Sequence, residues 1–376
     1  MIAYLDNAAT TQPCAAAVEA MSHAMTTAWG NPSSLHRLAD PARELMKQAR
    51  RSVAAAMGAE PERVFFTSGG TEADNWAIFS SVQRMGKRGK HLITTAVEHH
   101  AVLHAFQKLE QQGFEVTYLQ PEPDGMVTAE ALKAALRKDT VFVSVMMVNN
   151  ETGAVMPVQA MARAVHRNRE DAIFHTDAVQ GFLKVPFKAK TLGADLITVS
   201  AHKIHGAKGA GALYIQPKLP LPPHQIGGGQ ENNFRSGTEA VPAIAAFGAA
   251  CEAYAPRAAA DMAEMSRLRD LARAQLSAIE GVTLLPQPAN AAPHIVSLSV
   301  PGIPSQGLIN RLQDREVYVS AGSACAKGHR SHVLTALELP NEVVDSAIRV
   351  SLSADTTEAE ILQLADALRE ICAEKR

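Results

Sequence analysis

Apolar residues along the chain recur with two different periods, and the switches between them outline the fold. Residues 40–58 open with Asp40 as the expected N-cap and Pro41 in the first turn. They carry Leu45, Met46, Ala49, Val53, Ala56 and Met57 as a stripe of helical spacing and close at Gly58. Short apolar runs rich in β-branched or aromatic residues follow at 64–67, 92–95, 116–119, 141–148, 173–176, 196–199 and 212–215. Helical segments separate most of them, among them 72–83, 129–137 and 158–168. Buried strands alternating with helices predict an α/β unit around a largely parallel sheet.

The pattern changes beyond about residue 250. Met262, Met265, Leu268, Leu271, Leu276 and Ile279 recur at helical spacing until Gly281, which predicts a long connecting helix. Strands are then expected at 282–285 and 295–300, a helix at 307–315, a strand at 317–320, a short helix, and a strand at 348–352. A last helix opens with Thr357 and Glu360 at capping-box spacing. The order describes a smaller α+β unit. A chain of 376 residues also exceeds the roughly 250–300 at which single cores stop growing. The expected division is a large domain at 15–250 and a small C-terminal domain at 251–376, with residues 1–14 associated with the small domain.

Composition narrows the classes. With 47% hydrophobic and 20% charged residues the chain is an ordinary globular protein rather than a disordered one. A net charge of -2 provides no global field for nucleic acid or an anionic membrane, so a small-molecule substrate is expected. The apolar stretch 240–251 contains Pro242 and Gly248 and falls short of the roughly 18 residues that span a bilayer. Cys14, Cys251, Cys325 and Cys372 lie far apart without a CxxC pair, which argues against a zinc ribbon or disulfide framework and for a reducing compartment. Residues 1–13 carry no basic stretch followed by an apolar one, so a cytoplasmic protein is expected.

Several short segments carry candidate chemistry. In FFTSGGTEADN a strand runs through Ser68, Gly69, Gly70 and Thr71 into a helix. Either this is an ordinary Gly-containing turn, or its backbone N–H groups and the helix dipole receive a phosphate. In ITVSAHKIHGAKG, Lys203 follows Ser200 and His202 after a strand. That is the setting a Schiff-base lysine needs if it holds a phosphorylated aldehyde cofactor, although a lone loop lysine usually only faces water. HTDAVQ puts Asp177 and Gln180 at the carboxyl edge of the sheet, where an aspartate either caps or pairs with a pyridinium nitrogen. VNNETG brings Asn149, Asn150 and Glu151 to the same edge. EHHAVLH supplies His99, His100 and His104; no HExxH pattern accompanies them, and no metal site is expected. Arg349, in a predicted strand, either holds a carboxylate bidentately or pairs with a surface acid. Cys325 sits in SAGSACAKGHRS as a small apolar filler or as a nucleophile beside Lys327, His329 and Arg330.

Taken together, YLDNAATT, SGGTEADN, EHHAVL, VNNETG, HTDAVQ, SAHKIHGAKG, RSGTEAVP, GSAC and IRVSL resemble, in order and spacing, the cysteine desulfurases of the NifS/IscS type. These are class V aminotransferases of PLP fold type I, and the resemblance covers essentially the whole chain. It implies a homodimer with pyridoxal 5'-phosphate (PLP) held by Lys203. His99 would stack on the pyridine ring, Asp177 would pair with its nitrogen and Gln180 would bond the ring hydroxyl. Gly70, Thr71, Ser200 and His202 would bind the phosphate, and Thr238 would reach the phosphate of the neighbouring subunit. Asn150 and Arg349 match positions that bind the substrate carboxylate, with Asn150 also counted beside the cofactor.

The reaction implied is conversion of L-cysteine to L-alanine, with Lys203 moving the Cα proton and Cys325 taking the sulfur as a persulfide. Delivery would be to an iron–sulfur scaffold or a tRNA-thiolation enzyme, with no direct nucleic acid or membrane partner. GSAC matches the NifS/IscS type rather than the type with Gly-His-His before its cysteine. The stretch AKGHRSHVLTAL after Cys325 is a few residues shorter than that type carries, which bears on which acceptor is reached. Ala207 also stands where the family usually has proline. The alternatives are another class V enzyme, such as a selenocysteine lyase or aminotransferase, and a metal-dependent hydrolase built on the histidines.

Overall fold

The computed structural model describes residues 2–321 and 330–374. In chain order its elements begin with β1 (Ala3–Tyr4), α1 (Ala15–Thr26), α2 (Asp40–Met57), β2 (Val64–Thr67), α3 (Gly70–Met85), β3 (His91–Thr95), α4 (His100–Gln111) and β4 (Glu115–Leu119). There follow α5 (Ala129–Ala135), β5 (Thr140–Ser144), α6 (Val158–Asn168), β6 (Ile173–Asp177), α7 (Ala189–Leu192), β7 (Leu196–Ser200) and β8 (Gly211–Ile215). The remainder is α8 (Val241–Tyr254), α9 (Ala258–Ser277), β9 (Thr283–Leu284), β10 (Ile295–Ser299), α10 (Ser305–Gln313), β11 (Val317–Tyr318), α11 (His332–Ala336), α12 (Asn341–Asp345), β12 (Ala347–Ser351) and α13 (Glu358–Glu374).

Seven strands form the main sheet in the order β2-β8-β7-β6-β5-β3-β4, parallel throughout except for β8, which runs antiparallel to both neighbours. Successive side chains of a strand point to opposite faces, and the sequence uses this to build two cores. Phe65, Leu92, Phe142, Ile173 and Leu196 pack on one face with Trp76 and Phe106 of α3 and α4. Phe66, Ile93, Val143, Phe174 and Ile197, each one residue further on, pack on the other with residues of α2, α6 and α8. A sheet covered on both faces leaves only its edges and strand ends for ligands.

A third core belongs to the C-terminal part. Here β12-β10-β9 form an antiparallel sheet backed by α9, α10 and α13. The first residues of the chain join it: β1 pairs in parallel with β11, Asp6 bridges to Ser351, and Ala3 and Leu5 are fully buried there.

Local signals match in kind, but the strands expected at 141–148 and 317–320 stop at Ser144 and Tyr318, and two short helices, α11 and α12, stand where one was expected. Asp40 is the first helical residue of α2 rather than its cap, pairing with Arg43 three residues on, while Gly58 at φ 64° ends the helix as expected. The capping box of α13 is present: Thr357 N donates to Glu360 Oε2 at 2.8 Å and Glu360 N to Thr357 Oγ1 at 3.4 Å. In α8, Pro242 occupies the first turn, a position that proline tolerates. A Cβ on its Gly248 would lie 2.5 Å from Ala49 Cα, so glycine is what lets α8 lie against α2.

Candidate active site

The parallel strands end together, and the cleft of about 420 Å³ beyond their carboxyl ends collects the residues singled out from the sequence. Gly70, Thr71, Ser200 and His202 line it together with Lys203, Asp177 and Gln180. His99, Asn150 and Arg349 complete the set, and Ala8 and Ala9 from the N-terminal segment close one side. Thr238 lies outside this cleft and is exposed. Cys325 lies outside the described residues, in the segment that follows Ser320, itself in the cleft wall.

Lys203 follows β7 in a single 3-10 turn, and its Nζ donates to the carbonyls of Ala8 and Ala9, both at 2.7 Å. Burial, and then the nearby Arg349 cation, lower its pKa to about 8, with Asp177 and Asp6 acting in the opposite direction. An amine in this range has a far larger uncharged fraction near neutrality than an ordinary lysine. Asp177 ends β6; its Oδ1 accepts the Val179 N–H at 2.8 Å, which leaves Oδ2 for a donor in the cleft. Burial pushes its carboxyl up to about 6.

His99 is the N-cap of α4, where Nδ1 accepts the Ala101 N–H at 3.1 Å. Burial, then the Lys203 charge, bring its pKa down to about 4, so the ring is neutral and carries its proton on Nε2. His202 is likewise lowered to about 4, chiefly by burial. Arg349, in the middle of β12, donates through Nη1 to the Asn150 carbonyl at 2.8 Å and through Nη2 to Asp6 Oδ1 at 2.9 Å. The neighbouring Asn149 acts on the backbone instead. Its Oδ1 accepts from the N–H groups of Glu151 and Thr152, which shapes the turn that presents Asn150. Arg235 grips Glu72 bidentately at 2.7 and 3.1 Å, tying RSGTEAVP to the first turn of α3.

Folding also gathers charged residues that had no role assigned from sequence, although Asp74 and Glu98 lie inside SGGTEADN and EHHAVL. Asp74 turns inward from the first turns of α3 with Oδ1 making no hydrogen bond, 3.6 Å from His175 Nε2, and burial followed by the Asp177 charge raises its carboxyl well above the usual range. Glu98 is fully buried; its Oε1 accepts from Met146 N at 2.8 Å and from Thr95 Oγ1 at 2.9 Å, and burial raises it to about 8. Lys184 is buried with Nζ unpaired and lowered to about 7. The only sequence signal for these was a charged residue in an apolar neighbourhood. His100, His104 and His332 cluster with ring centroids 4.7–5.0 Å apart, yet no group able to hold a metal ion occurs among the described residues.

The donor set fits PLP. Ser200 Oγ is buried without a partner beside the N-terminus of α3, as a phosphate-binding hydroxyl would be. A Cβ on Gly70 would stand 2.9 Å from Val179 Cγ2, so only glycine keeps the backbone of that turn accessible. An amine, a buried carboxylate and a neutral imidazole meet in the same cleft.

The Aminotransferase class-V family model matches residues 3–364. A relative named cysteine desulfurase IscS from Methanosarcina thermophila is 39% identical, covering 98% of this chain and 91% of that one. Among solved structures, a NifS-like protein superposes with a TM-score of 0.94 at 34% identity over the full length of both chains. The structure of SspA in complex with cysteine superposes with a TM-score of 0.82 at 32% identity, over 94% of this chain and 99% of that one. The chain belongs to the class-V aminotransferase family, among the cysteine desulfurases of the NifS/IscS type.

Proposed function

We propose that this chain uses PLP to convert L-cysteine to L-alanine and keeps the sulfur as a persulfide on Cys325. The observation that carries the reading is the meeting of Lys203, Asp177, His99 and Ser200 in one cleft at the sheet edge. Lys203 would hold the cofactor, and Gly70, Thr71, Ser200 and His202 would receive its phosphate. His99 would lie against the ring, Asp177 would pair with the ring nitrogen and Gln180 would meet the ring oxygen. When bound, PLP supplies an electron sink for the substrate's carbon skeleton.

The chain's own groups perform the rest. Arg349 and Asn150 bind the cysteine carboxylate and fix its Cα near Lys203. The guanidinium is already oriented by Asp6 and the Asn150 carbonyl, so little reorganisation accompanies binding. Lys203, with its pKa lowered to about 8, moves the Cα proton. The Cys325 thiolate attacks the substrate sulfur, forming an S–S bond as the sulfur–Cβ bond breaks. The electron pair of that bond remains on Cβ, which takes a proton and becomes the methyl group of alanine. An unperturbed thiol with pKa about 8.5 is only a few per cent ionised at neutrality, and in this reading Lys327 and His329, next to it in sequence, favour the thiolate, Arg330 being paired with Asp345. L-cysteine as substrate is supported by the cysteine bound in the SspA structure.

The reading includes a homodimer in which Thr238 serves the partner's phosphate site. Its support is that Trp29, Leu35 and Leu38, within ten residues of one another, are large apolar side chains left 66%, 101% and 62% exposed. It divides the chain at 14 and 250; separate cores support two domains, although α8 runs through residue 250 and Cys251, Ala292 and Val333 pack in the larger core. It sends the sulfur to an iron–sulfur scaffold or tRNA-thiolation enzyme and locates the enzyme in the cytoplasm. No described helix is long and apolar enough to cross a membrane.

An absorbance spectrum tests the cofactor assignment. The parent protein loaded with PLP is expected to show a visible band that borohydride bleaches and that Lys203→Ala lacks. An unchanged band in Lys203→Ala would remove Lys203 from this role.

A further inference from the structure

Gln180 lies at the end of the turn after β6, and both ends of its amide are engaged. Its Nε2 donates to the Ala8 carbonyl at 2.8 Å, and its Oε1 lies 3.2 Å from His294 Nε2. A carbonyl oxygen only accepts, so the imidazole proton is on Nε2. An amide nitrogen carries two hydrogens. One goes to Ala8, and the other is left for the cleft that Gln180 lines.

His294 is fully buried, directly before β10. Its own carbonyl accepts from Leu352 N at 2.8 Å, just beyond the end of β12, the strand that carries Arg349. The remaining ring nitrogen, Nδ1, is buried without a partner. An imidazole with one orphaned nitrogen is a poor space-filler, because an aliphatic side chain would fill the same volume without burying an unpaired acceptor. The bond to Gln180 is what distinguishes histidine here. Burial, together with the cations Lys184, Arg349 and Lys203, keeps the ring neutral. A neutral ring has a single proton to give, and it is committed to Gln180.

We propose that His294 is a positioning residue that, with the Ala8 carbonyl, holds the Gln180 amide with an N–H rather than its oxygen toward the ring oxygen of PLP. The inference rests on the assignment of Gln180 to that ring oxygen. If the amide turned over, its oxygen would face the Ala8 carbonyl and the cofactor's anionic oxygen, and both contacts would be repulsive. The small C-terminal sheet thereby sets the hydrogen bonding of the cofactor as well as the grip of Arg349 on the substrate.

An N–H donated to the ring oxygen draws off its negative charge and lowers the pKa of the visible band. The test is therefore a pH titration of that band in the PLP-loaded protein. His294→Leu and His294→Met, which retain bulk without a donor, are expected to raise the midpoint by about one pH unit, or tenfold in proton affinity. His294→Gln, whose amide N–H reaches a similar position, is expected to restore it. In a Gln180→Leu background, His294→Leu should add no further shift. Melting of each apo-protein identifies any variant that does not fold, and either donorless variant suffices. Parental midpoints in both donorless variants, or an undiminished shift in the Gln180→Leu background, would overturn the inference alone. A parent protein that forms no band on Lys203 would overturn the underlying assignment.

Discussion

Lys203 donates through Nζ to the main-chain carbonyl of Ala8 at 2.7 Å, so the amine assigned to the cofactor is held by the first turn of the chain. Its pKa, lowered to about 8 by burial and then by Arg349, sets a pH dependence. Below pH 8 the amine is mostly protonated and is not a nucleophile; above it the free base dominates. Capture of PLP by apo-protein, followed as growth of the visible band, is expected to accelerate with pH through a midpoint near 8. Arg349→Met removes a cation that lowers this pKa, so its midpoint should move to higher pH. A parental midpoint near the ordinary lysine value of 10.5 would contradict the placement of this amine.

Asp177 is the carboxylate assigned to the ring nitrogen, and Asn in its place keeps the shape while losing the charge. Asp177→Asn is expected to retain the cofactor on Lys203 but to lose about 100-fold or more in alanine formation, the scale of removing one electrostatic stabiliser. Single-turnover assays with L-cysteine measure this. Near-parental turnover would assign Asp177 a capping role, which its Val179 bond already allows.

Glu98 predicts a stability effect of definite sign. Its folded pKa is about 8 against an ordinary 4.5, chiefly through burial. Between these values the folded chain holds a proton that the unfolded chain has released, so this group's contribution to stability falls as the pH rises through the window. Glu98→Gln keeps an acceptor for Met146 N and Thr95 Oγ1 without the charge. Its apo-protein should lose less in melting temperature than the parent between pH 5 and pH 8. Parallel pH profiles would show that Glu98 is not the responsible group.

Gly248 separates helix propensity from packing. Alanine in an exposed helix would stabilise by about 1 kcal/mol over glycine. Here the new Cβ meets Ala49 at 2.5 Å, and overpacking of this kind costs about 1–3 kcal/mol. Gly248→Ala is expected to lower the melting temperature, and a rise would mean that α2 and α8 part easily.

Much of this was legible because local rules and the final fold agree. That Asp177, Ser200 and Lys203 share one cleft was readable because each ends or follows a β-branched apolar run, and strand ends converge in a parallel sheet. The strand order was not readable, since β8 returns antiparallel between β2 and β7 without any local mark. The helix α8 lacks a period because it is apolar on all sides, and Pro242 and Gly248 drew attention to its length rather than its burial. Asp74, Glu98, Lys184 and His294 gain their properties from residues far away in the chain. His294 reaches Gln180 across 114 positions, and no spacing rule extends that far.

The central claim is sulfur transfer to Cys325, and one measurement addresses it most directly. PLP-loaded parent protein and Cys325→Ser are each mixed with L-cysteine, and alanine, released sulfide and the mass of the protein are followed together. The parent is expected to gain one sulfur atom on the peptide containing Cys325 and to form alanine in step with it. Cys325→Ser should retain the visible band yet form neither the persulfide nor alanine at a comparable rate. Equal alanine and sulfide production from both proteins would contradict the account.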